Sequence, residues 1–195
     1  MRHGSTELNS ARKFVGHSDA ELSIIGYRQV ECLRDRLAGE KIDIIYSSDL
    51  KRALTTAKTI AAKHKLDVIS CPELREVNYG KLEGVTFEEM RCLYPEVAEL
   101  CAEWNLQLKF PSGESVAELK ERVTKFLDRL KQHMPEQTIL IVAHGGPLRL
   151  MICSLLGIDL RHWHQIYLDL ASLSIVNVYP ELAVISLLND TSHLR

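Results

Sequence analysis

The sequence lacks two features that would place it in a membrane or outside the cell. No apolar run approaches the ~18 residues of a membrane-spanning helix, and the chain opens with charged and polar residues rather than with a signal peptide. Charge of neither sign is in excess, since the formal net charge is −2. We therefore expect a cytoplasmic protein without nucleic-acid or membrane partners, in which any anion binds to a local cluster of cations.

Paired cysteines are also missing. The five cysteines are odd in number and scattered, with no Cys-x-x-Cys pair: Cys32, Cys71, Cys92, Cys101 and Cys153. This usage favours reduced, structural thiols over a disulfide framework or a zinc site, with a cysteine nucleophile as the alternative. His162 and His164, two residues apart, are a weak metal signal because no cysteine or suitably spaced carboxylate accompanies them.

The hydrophobic pattern predicts alternating strands and helices. Residues 1–20 are polar and are expected to form a loop. A helix is predicted over 23–39, and a second one follows Ser47-Ser48-Asp49, whose polar side chains suit a helix cap. Further helices are predicted from Thr86 to about Trp104 with a break at Pro95, from Ser115 to before Pro135, and from 145 to 157, where Pro147 suits a first helical position. Short buried strands are predicted over 42–46, 67–71 and 138–143, and a hairpin or edge pair over 173–179 and 183–188.

This alternation predicts an α/β protein, a three-layer α/β/α sandwich with a mostly parallel central sheet. Its 195 residues, 46% of them hydrophobic, and the absence of a linker indicate one domain with room for a small subdomain. In such folds ligands bind beyond the carboxyl ends of the strands. The segments 47–49 and 144–146 and the loop after Cys71 fall at those ends.

Two His-Gly pairs suggest a single pocket. The chain begins Met1-Arg2-His3-Gly4, and the strand 138–143 is followed by His144-Gly145. Arg2 beside His3 indicates an anion such as phosphate, and Arg52 is a candidate for a second bidentate grip. His144 precedes a predicted helix N-terminus, where free backbone donors favour an anion. The glutamates of 73–84 are candidates for proton transfer.

Each of these residues has a plainer interpretation. Arg52 could be a solvated charge, His144 a hydrogen-bonded residue at a strand end, and Glu76 a solvent-facing carboxylate. No other histidine lies at a comparable glycine turn, so we expect structural or surface roles for the remaining ones: His17, His64, His133, His162, His164 and His193.

Taken together, the motifs resemble those of the histidine phosphatase superfamily, also called phosphoglycerate mutase-like, over nearly the whole chain. The matching residues are Arg2-His3-Gly4 with Thr6 and Asn9; Gly16, Asp19, Leu22, Ser23, Gly26 and Gln29; Ser47 to Ala53 with Thr56-Ala57; Leu74-Arg75-Glu76 with Tyr79-Gly80 and Glu83-Gly84; Gly113-Glu114-Ser115; and Ala143-His144-Gly145-Gly146. Any one of these motifs is common by chance, but together and in register they make a specific signal.

The resemblance implies one domain over residues 1–195, with a helical cap-like insertion at about 85–112. It also implies catalysis without metal or cofactor, in which His3 attacks phosphorus and Glu76 first protonates the leaving alkoxide and then activates water. Arg2, Arg52 and His144 would hold the charge of the transferring group. The substrate-binding residues would be Arg2, Gly4, Thr6, Asn9, Arg52 and Gly145.

The compact chain and its Asn189-to-Leu194 tail look most like α-ribazole phosphatases of cobalamin assembly, so α-ribazole 5′-phosphate is the expected substrate. Alternatives are a phosphoglycerate mutase, a broad-specificity sugar-phosphate phosphatase, or an inactive phosphate-binding relative. The mutase is disfavoured because the segment after Glu76 is short, and the inactive relative because all five catalytic candidates are present. A homodimer is one arrangement left open.

One element of the family pattern is not found. In the family the nucleophilic histidine ends a central strand of about half a dozen residues, whereas only Met1 and Arg2 precede His3 here. We therefore expect the first central strand to be absent, through either a start placed too late or the loss of that strand. The first is our hypothesis, with an apolar extension restoring stability and activity.

Overall fold

Three parallel strands form the central sheet of the computed structural model, which describes residues 1–103 and 108–195. The strands lie in the order β2-β1-β3 and are β1 (Ile44–Ser47), β2 (Val68–Ser70) and β3 (Ile139–Val142). The last residue of β1, Ser47, lies opposite the last residues of the other two, Ser70 and Val142. The loops that follow the three strands therefore emerge at one edge of the sheet.

The α-helices within the described residues are α1 (Glu7–Ser10), α2 (Ile24–Leu37), α3 (Lys51–His64), α4 (Phe87–Leu93), α5 (Pro95–Glu103), α6 (Val116–Leu130) and α7 (Gly145–Leu156). Short 3₁₀ turns cover Pro72–Leu74, Gly80–Leu82, Leu160–Gln165 and Ser192–Leu194. An antiparallel hairpin, β4 (Leu173–Val178) and β5 (Ala183–Asp190), follows near the end of the chain. Among all the residues that the structure describes, no helix is long and apolar enough to cross a membrane.

Apolar side chains cover both faces of the central sheet. Ile45 and Val142 pack with α2 and α3, where Leu33 and Ile60 are fully buried. Tyr46, which follows Ile45, belongs instead to the second core with α6 and α7, as successive side chains of a strand point to opposite faces. This arrangement is the predicted α/β/α sandwich, and the fold class is confirmed.

Two of the predicted helix starts have the expected chemistry. Thr86 and Ser115 each form a capping box with the glutamate three residues later, at the starts of α4 and α6. The predicted end of the 86–104 helix at Trp104 lies outside the described residues. The helices α4 and α5 fall within 85–112, and the interpretation of that stretch as a cap-like insertion stays a prediction.

Other local predictions were wrong. Residues 1–20 are not all loop, because Thr6 and Asn9 form a reciprocal cap on α1. Ser47-Ser48-Asp49 does not cap α3, whose N-cap is Leu50. Pro147 is the third residue of α7 rather than the first.

Residues 1–3 lie between the central sheet and the start of the hairpin. Arg2 forms an isolated parallel bridge with Ala143, and the His3 amide donates to the Ala143 carbonyl at 3.1 Å. On the other side, the Arg2 amide donates to Ser172 O and the Ala171 amide to His3 O. Within the described residues no strand precedes β1, but these hydrogen bonds place His3 beside the carboxyl end of β3, the position expected of a central strand end.

Candidate active site

The His3 ring is buried and is oriented by the backbone of the next residue, Gly4. His3 is only 2% exposed, and its Nδ1 lies 2.7 Å from the carbonyl oxygen of Gly4. A carbonyl only accepts hydrogen bonds, so Nδ1 carries the proton and Nε2 keeps a free lone pair. Burial, followed by the charges of Arg52 and Arg2, holds the pKa of His3 well below its usual range. His3 is therefore a neutral imidazole with Nε2 available as a nucleophile.

His144 lies opposite His3, at the N-cap of α7. The two ring centroids are 4.9 Å apart. His144 Nε2 is 2.8 Å from Ser48 Oγ, and its Nδ1 is buried without a hydrogen-bond partner. Burial, and then Arg52, lower the pKa of His144 well below its usual range. With its proton on Nδ1, neutral His144 can donate to an anion bound between the two rings.

Arg52 is completely buried, in the first turn of α3. Its Nη1 donates to Ser18 O at 2.8 Å and its Nη2 to Gly16 O at 2.7 Å, whereas Nε has no partner. Burial lowers its pKa to about 10, against the raising effect of Glu76, so Arg52 remains a cation at neutral pH. Since no described carboxylate forms an ion pair with it, this buried charge is available to an anion.

Arg2 supplies a second cation. Its Nη1 donates to Leu168 O at 2.7 Å, and its Nε is buried without a partner. Burial lowers the pKa of Arg2, Glu76 raises it, and Arg149 lowers it. Because a guanidinium stays protonated in proteins, Arg2 and Arg52 together place two positive charges beside the histidines.

Glu76 presents one carboxylate oxygen to the same space. Its Oε1 accepts hydrogen bonds from the amides of Val77 and Gly146, both at 2.9 Å. A Cβ placed on Gly145 would lie 3.6 Å from Glu76 Oε2 and 3.8 Å from Arg2 Cζ. The space above Gly145 is thus bounded by a guanidinium and by Glu76 Oε2, which accepts no hydrogen bond from the described residues. A carboxyl group in this position can exchange a proton with a phosphate ester bound there.

Asn9 lines a pocket with Arg2 and is held in place by Thr6. Asn9 Oδ1 accepts from the amide and the hydroxyl of Thr6, at 3.1 and 2.9 Å. That orientation leaves the Asn9 amide nitrogen as a free donor. Gly4 allows close packing here, because a Cβ would lie 2.8 Å from Gly26 O. The structure therefore brings together Arg2, His3, Arg52, Glu76, His144 and Gly145, with Gly4 next to His3. Asn9 lines a pocket that Arg2 also lines, and Thr6 is connected to it through its hydrogen bonds with Asn9.

Sequence reasoning missed the residues that hold this constellation in place. Glu83 accepts from the amides of His17 and Ser18, both at 2.7 Å, and from the Ser18 hydroxyl. These bonds shape the loop whose carbonyls hold Arg52. His17 was expected to be structural or on the surface, and its Nε2 lies 2.9 Å from the Glu76 carbonyl oxygen. The motif Glu83-Gly84 marked Glu83 in the sequence, but the sequence does not show that Glu83 binds His17, which lies 66 residues away.

Arg122 on α6 holds the other side. Its guanidinium donates to the carbonyl oxygens of Glu73, Arg75 and Glu76 at 2.6–2.7 Å, and to both oxygens of Glu114. The backbone that carries Glu76 is thereby tied to α6. Nothing in the sequence around Arg122 distinguishes it from an ordinary helix-surface arginine, because its partners lie 8 to 49 residues away.

Arg149 is a further missed cation. It is half-buried on α7, one turn after Gly145. Its charge is the third-largest influence on the pKa of Arg2, which it lowers, after burial and Glu76. Burial raises the pKa of the neighbouring Tyr79, and Arg149 opposes this shift. Among the residues that the structure describes, no group of three or more His, Cys, Asp and Glu is placed to hold a metal ion. The charges facing the site are those of guanidinium groups.

Comparison with known proteins identifies related chains. The family model "Histidine phosphatase superfamily (branch 1)" matches residues 1–191. "Phosphoserine phosphatase 1" of Hydrogenobacter thermophilus is 36% identical over 194 residues, which is 100% of this chain and 92% of that protein. "Probable phosphoglycerate mutase GpmB" of Yersinia enterocolitica is 35% identical, over 100% and 93%. The structure of a putative alpha-ribazole-5′-P phosphatase from Escherichia coli superposes with a TM-score of 0.90 at 28% identity, covering 97% of this chain and 94% of that one.

Proposed function

Because the chain belongs to the histidine phosphatase superfamily, we propose that it is a phosphomonoesterase that works through a phosphohistidine intermediate. One observation carries this proposal above all: the free Nε2 of His3, with Nδ1 committed to the Gly4 carbonyl. A nucleophile with this tautomer needs no external base, because it attacks as a neutral imidazole. Arg2, Arg52 and His144 provide donors for the charge on the transferring group.

In the first step His3 Nε2 attacks phosphorus in line with the ester oxygen. The N–P bond forms as the P–O bond to the alcohol breaks, and the departing oxygen takes a proton from the carboxylic acid of Glu76. An alkoxide is a poor leaving group, so this proton is expected to contribute roughly 10²–10⁴-fold to the rate. The products are free alcohol, phosphohistidine and the Glu76 carboxylate.

In the second step a water molecule takes the place of the alcohol. Glu76 removes one proton from the water as its oxygen attacks phosphorus, and the P–N bond breaks. Inorganic phosphate leaves, and His3 and the Glu76 acid return to their starting forms. The Gly146 and Val77 amides hold Glu76 Oε1 throughout, which leaves Oε2 to exchange the proton in both steps.

The substrate is a small phosphorylated metabolite. α-Ribazole 5′-phosphate, and with it a place in cobalamin biosynthesis, is supported by the similarity to a putative alpha-ribazole-5′-P phosphatase. Phosphoserine is a second candidate, favoured by the 36% identity of the chain, over its whole length, to a phosphoserine phosphatase. A mutase activity on phosphoglycerate has comparable support from sequence. We place the reaction in the cytoplasm and assign it no metal or cofactor.

Hydrolysis of p-nitrophenyl phosphate by the purified protein tests the proposal. We expect turnover that persists after treatment with a chelator, and an acid-labile phosphate on the protein after rapid quenching. Both should disappear in His3→Ala. Glu76→Gln should slow alkyl phosphates more than p-nitrophenyl phosphate, because an aryl oxide leaves without a proton.

Three outcomes would contradict the proposal: full activity in His3→Ala, loss of activity with the chelator, or equal slowing of alkyl and aryl substrates by Glu76→Gln. Phosphatase and mutase are separated by incubation with 3-phosphoglycerate, with and without a bisphosphate primer. A phosphatase releases phosphate, whereas a mutase forms the isomer. Activity on α-ribazole 5′-phosphate, phosphoserine and sugar phosphates then ranks the substrates.

A further inference from the structure

A cavity of about 650 Å³ opens beside the phosphate-binding residues. We call it the mouth pocket. Its lining includes the phosphate-site residues Arg2 and Asn9, the loop residues Arg12 and Lys13, and Arg195. Asp169 lines the pocket as well. It directly follows Leu168, whose carbonyl oxygen accepts a hydrogen bond from Arg2.

The Arg2 guanidinium also bounds the space above Gly145 that Glu76 Oε2 faces. An alcohol that leaves from this space past Arg2 would therefore extend toward the charged side chains of the mouth pocket.

Arg12 and Lys13, two of the four basic residues that line the mouth pocket, have no carboxylate partners. Neither Arg12 nor Lys13 forms an ion pair with any carboxylate that the structure describes. The pKa of Glu89 is lowered chiefly by its hydrogen bonds with Thr86 and then by Lys13, but the two side chains are not in contact as an ion pair. Arg12 and Lys13 are thus free to bind an anion from solution.

The backbone that carries these cations is connected to the phosphate site. The Arg12 amide donates to the Asn9 carbonyl at 3.0 Å, and Lys13 pairs with Thr86 across an antiparallel bridge. Arg12 adopts a left-handed conformation, φ 54°, which a residue with a side chain rarely adopts. This turn lets two consecutive side chains line the same pocket.

Asp169 is held in a fixed position. One of its carboxylate oxygens, Oδ2, accepts from Asn189 Nδ2 at 3.0 Å, while the Asp169 amide donates to Asn189 Oδ1 at 2.6 Å. The second oxygen, Oδ1, accepts no hydrogen bond from any residue that the structure describes. The pocket therefore combines two free cations with a pre-oriented acceptor, an arrangement complementary to a ligand that carries both signs of charge.

From this arrangement we infer that the mouth pocket is a subsite for a charged leaving alcohol, in which Arg12 and Lys13 bind a carboxylate and Asp169 binds an ammonium group. The substrate class is the phosphorylated hydroxy amino acids. This inference rests on the proposed function and narrows its substrate. Phe14 and Tyr167 also line the pocket and would suit a planar base, but an uncharged base leaves Arg12, Lys13 and Asp169 without partners.

Matched substrates isolate the two charges. Phosphoserine carries both, phosphoglycolate the carboxylate alone, phosphoethanolamine the ammonium alone, and glycerol phosphate neither. We expect kcat/KM for phosphoserine to exceed that for glycerol phosphate by roughly 10- to 100-fold at low ionic strength, because charge-assisted hydrogen bonds from the pocket would stabilise bound phosphoserine. α-Ribazole 5′-phosphate should be hydrolysed less efficiently than phosphoserine.

Charge-removing variants assign the two groups. In the double variant Arg12→Gln, Lys13→Gln, the preference for phosphoglycolate over glycerol phosphate should fall about tenfold or more. Asp169→Asn keeps an oxygen that can accept a hydrogen bond from Asn189. This variant should lower the preference for phosphoethanolamine over glycerol phosphate. Lys58→Gln removes an exposed charge on α3, outside the pocket, and should leave both ratios unchanged.

Equal efficiency on the charged and uncharged alcohols, or ratios that the pocket variants do not alter, would overturn the subsite. A higher efficiency on α-ribazole 5′-phosphate than on phosphoserine would also overturn it. In each of these cases p-nitrophenyl phosphate is still hydrolysed through His3. By contrast, absence of that hydrolysis, or of phosphohistidine, would contradict the proposed function itself.

Discussion

The imidazole rings of His3 and His144 face each other with centroids 4.9 Å apart, and both rings are buried. Their pKa values are held low by burial first and then by the cation Arg52. Two neutral imidazoles can therefore divide the work on one phosphate: His3 offers a lone pair, and His144 offers a proton on Nδ1. Protonation of both rings beside two guanidinium groups would place four positive charges around an empty site.

This arrangement predicts how stability depends on pH. In the unfolded chain the two histidines bind protons below pH ~6.5, whereas in the folded protein they resist protonation. The unfolded state then binds more protons, so the free energy of unfolding should fall as the pH drops below about 6.5, by up to about 1.4 kcal/mol per pH unit for each histidine. Urea denaturation between pH 7.5 and 5 measures this slope.

His144→Gln provides the comparison, because it removes one titrating ring. Its unfolding free energy should depend less steeply on pH than that of the wild type. NMR titration of the imidazole nitrogens checks the same point directly: both rings should remain neutral at pH 6. A wild-type slope equal to that of the variant would show that His144 is not buried in its neutral form.

Gly146→Ala should disable the candidate acid. A Cβ at this position would lie 2.5 Å from Glu76 Oε1 and 2.9 Å from Val77 Cγ2, so the carboxylate must move. We expect kcat for alkyl phosphates to fall at least about tenfold, with a smaller loss for p-nitrophenyl phosphate, since proton donation contributes only to the former. Steady-state kinetics on both substrates measure the difference.

Gly39→Ala is a matched control, since nothing lies within 4 Å of a Cβ at that exposed position. It should leave kcat and the melting temperature close to those of the wild type. If Gly146→Ala keeps full activity on alkyl phosphates, Glu76 does not need the position seen here, and its role as the acid is wrong.

Glu83 should act on phosphate affinity through Arg52. Its carboxylate fixes the amides of His17 and Ser18, and the carbonyls of Gly16 and Ser18 accept from Arg52. Glu83→Gln keeps the shape but loses the charge-assisted bonds. We expect vanadate, a phosphate mimic, to bind roughly tenfold more weakly, since a bond to a charged group contributes about 1.5–3 kcal/mol.

The surface variant Glu121→Gln is the control for this effect, because Glu121 pairs only with exposed Lys125 on α6 and such pairs contribute little. Thermal unfolding of both variants separates positioning from general destabilisation. If Glu83→Gln lowers the melting temperature but leaves vanadate affinity unchanged, Glu83 supports the fold and does not position Arg52.

Arg122→Lys should loosen the segment that carries Glu76. An ammonium group cannot replace a planar guanidinium that reaches three carbonyl oxygens and the Glu114 carboxylate at once. The Arg122 and Glu114 side chains are 18% and 15% exposed, so the loss is expected to be about 2–4 kcal/mol in unfolding free energy. Chemical denaturation measures it.

Arg36→Lys is the comparison for Arg122→Lys, because Arg36 pairs with exposed Glu40 at the end of α2. It should change the unfolding free energy by less than about 1 kcal/mol. Equal effects of the two variants would mean that the bonds from Arg122 to the 73–76 backbone do not hold this segment.

The predictable part of the molecule rests on local patterns. The capping boxes at Thr86 and Ser115 were legible because both partners lie within one helical turn. The strand 139–142 was legible because its apolar residues lie between polar neighbours. The α1 cap at Thr6 was missed because its N3 residue is asparagine rather than glutamate. Ser48 was misread as a cap because its actual partner, His144, lies 96 residues away in sequence.

The amino-acid sequence by itself determined the fold class and predicted the reacting groups, because hydrophobic period and motif spacing are properties of the chain alone. His3, Arg52, Glu76 and His144 could all be named from it. Only the tertiary structure decided the protonation states and the supports: which nitrogen of His3 is free, why both imidazoles are neutral, and that Glu83 and Arg122 hold Arg52 and Glu76 in place. Burial and hydrogen bonds between distant segments set these properties, and both arise only once the chain has folded.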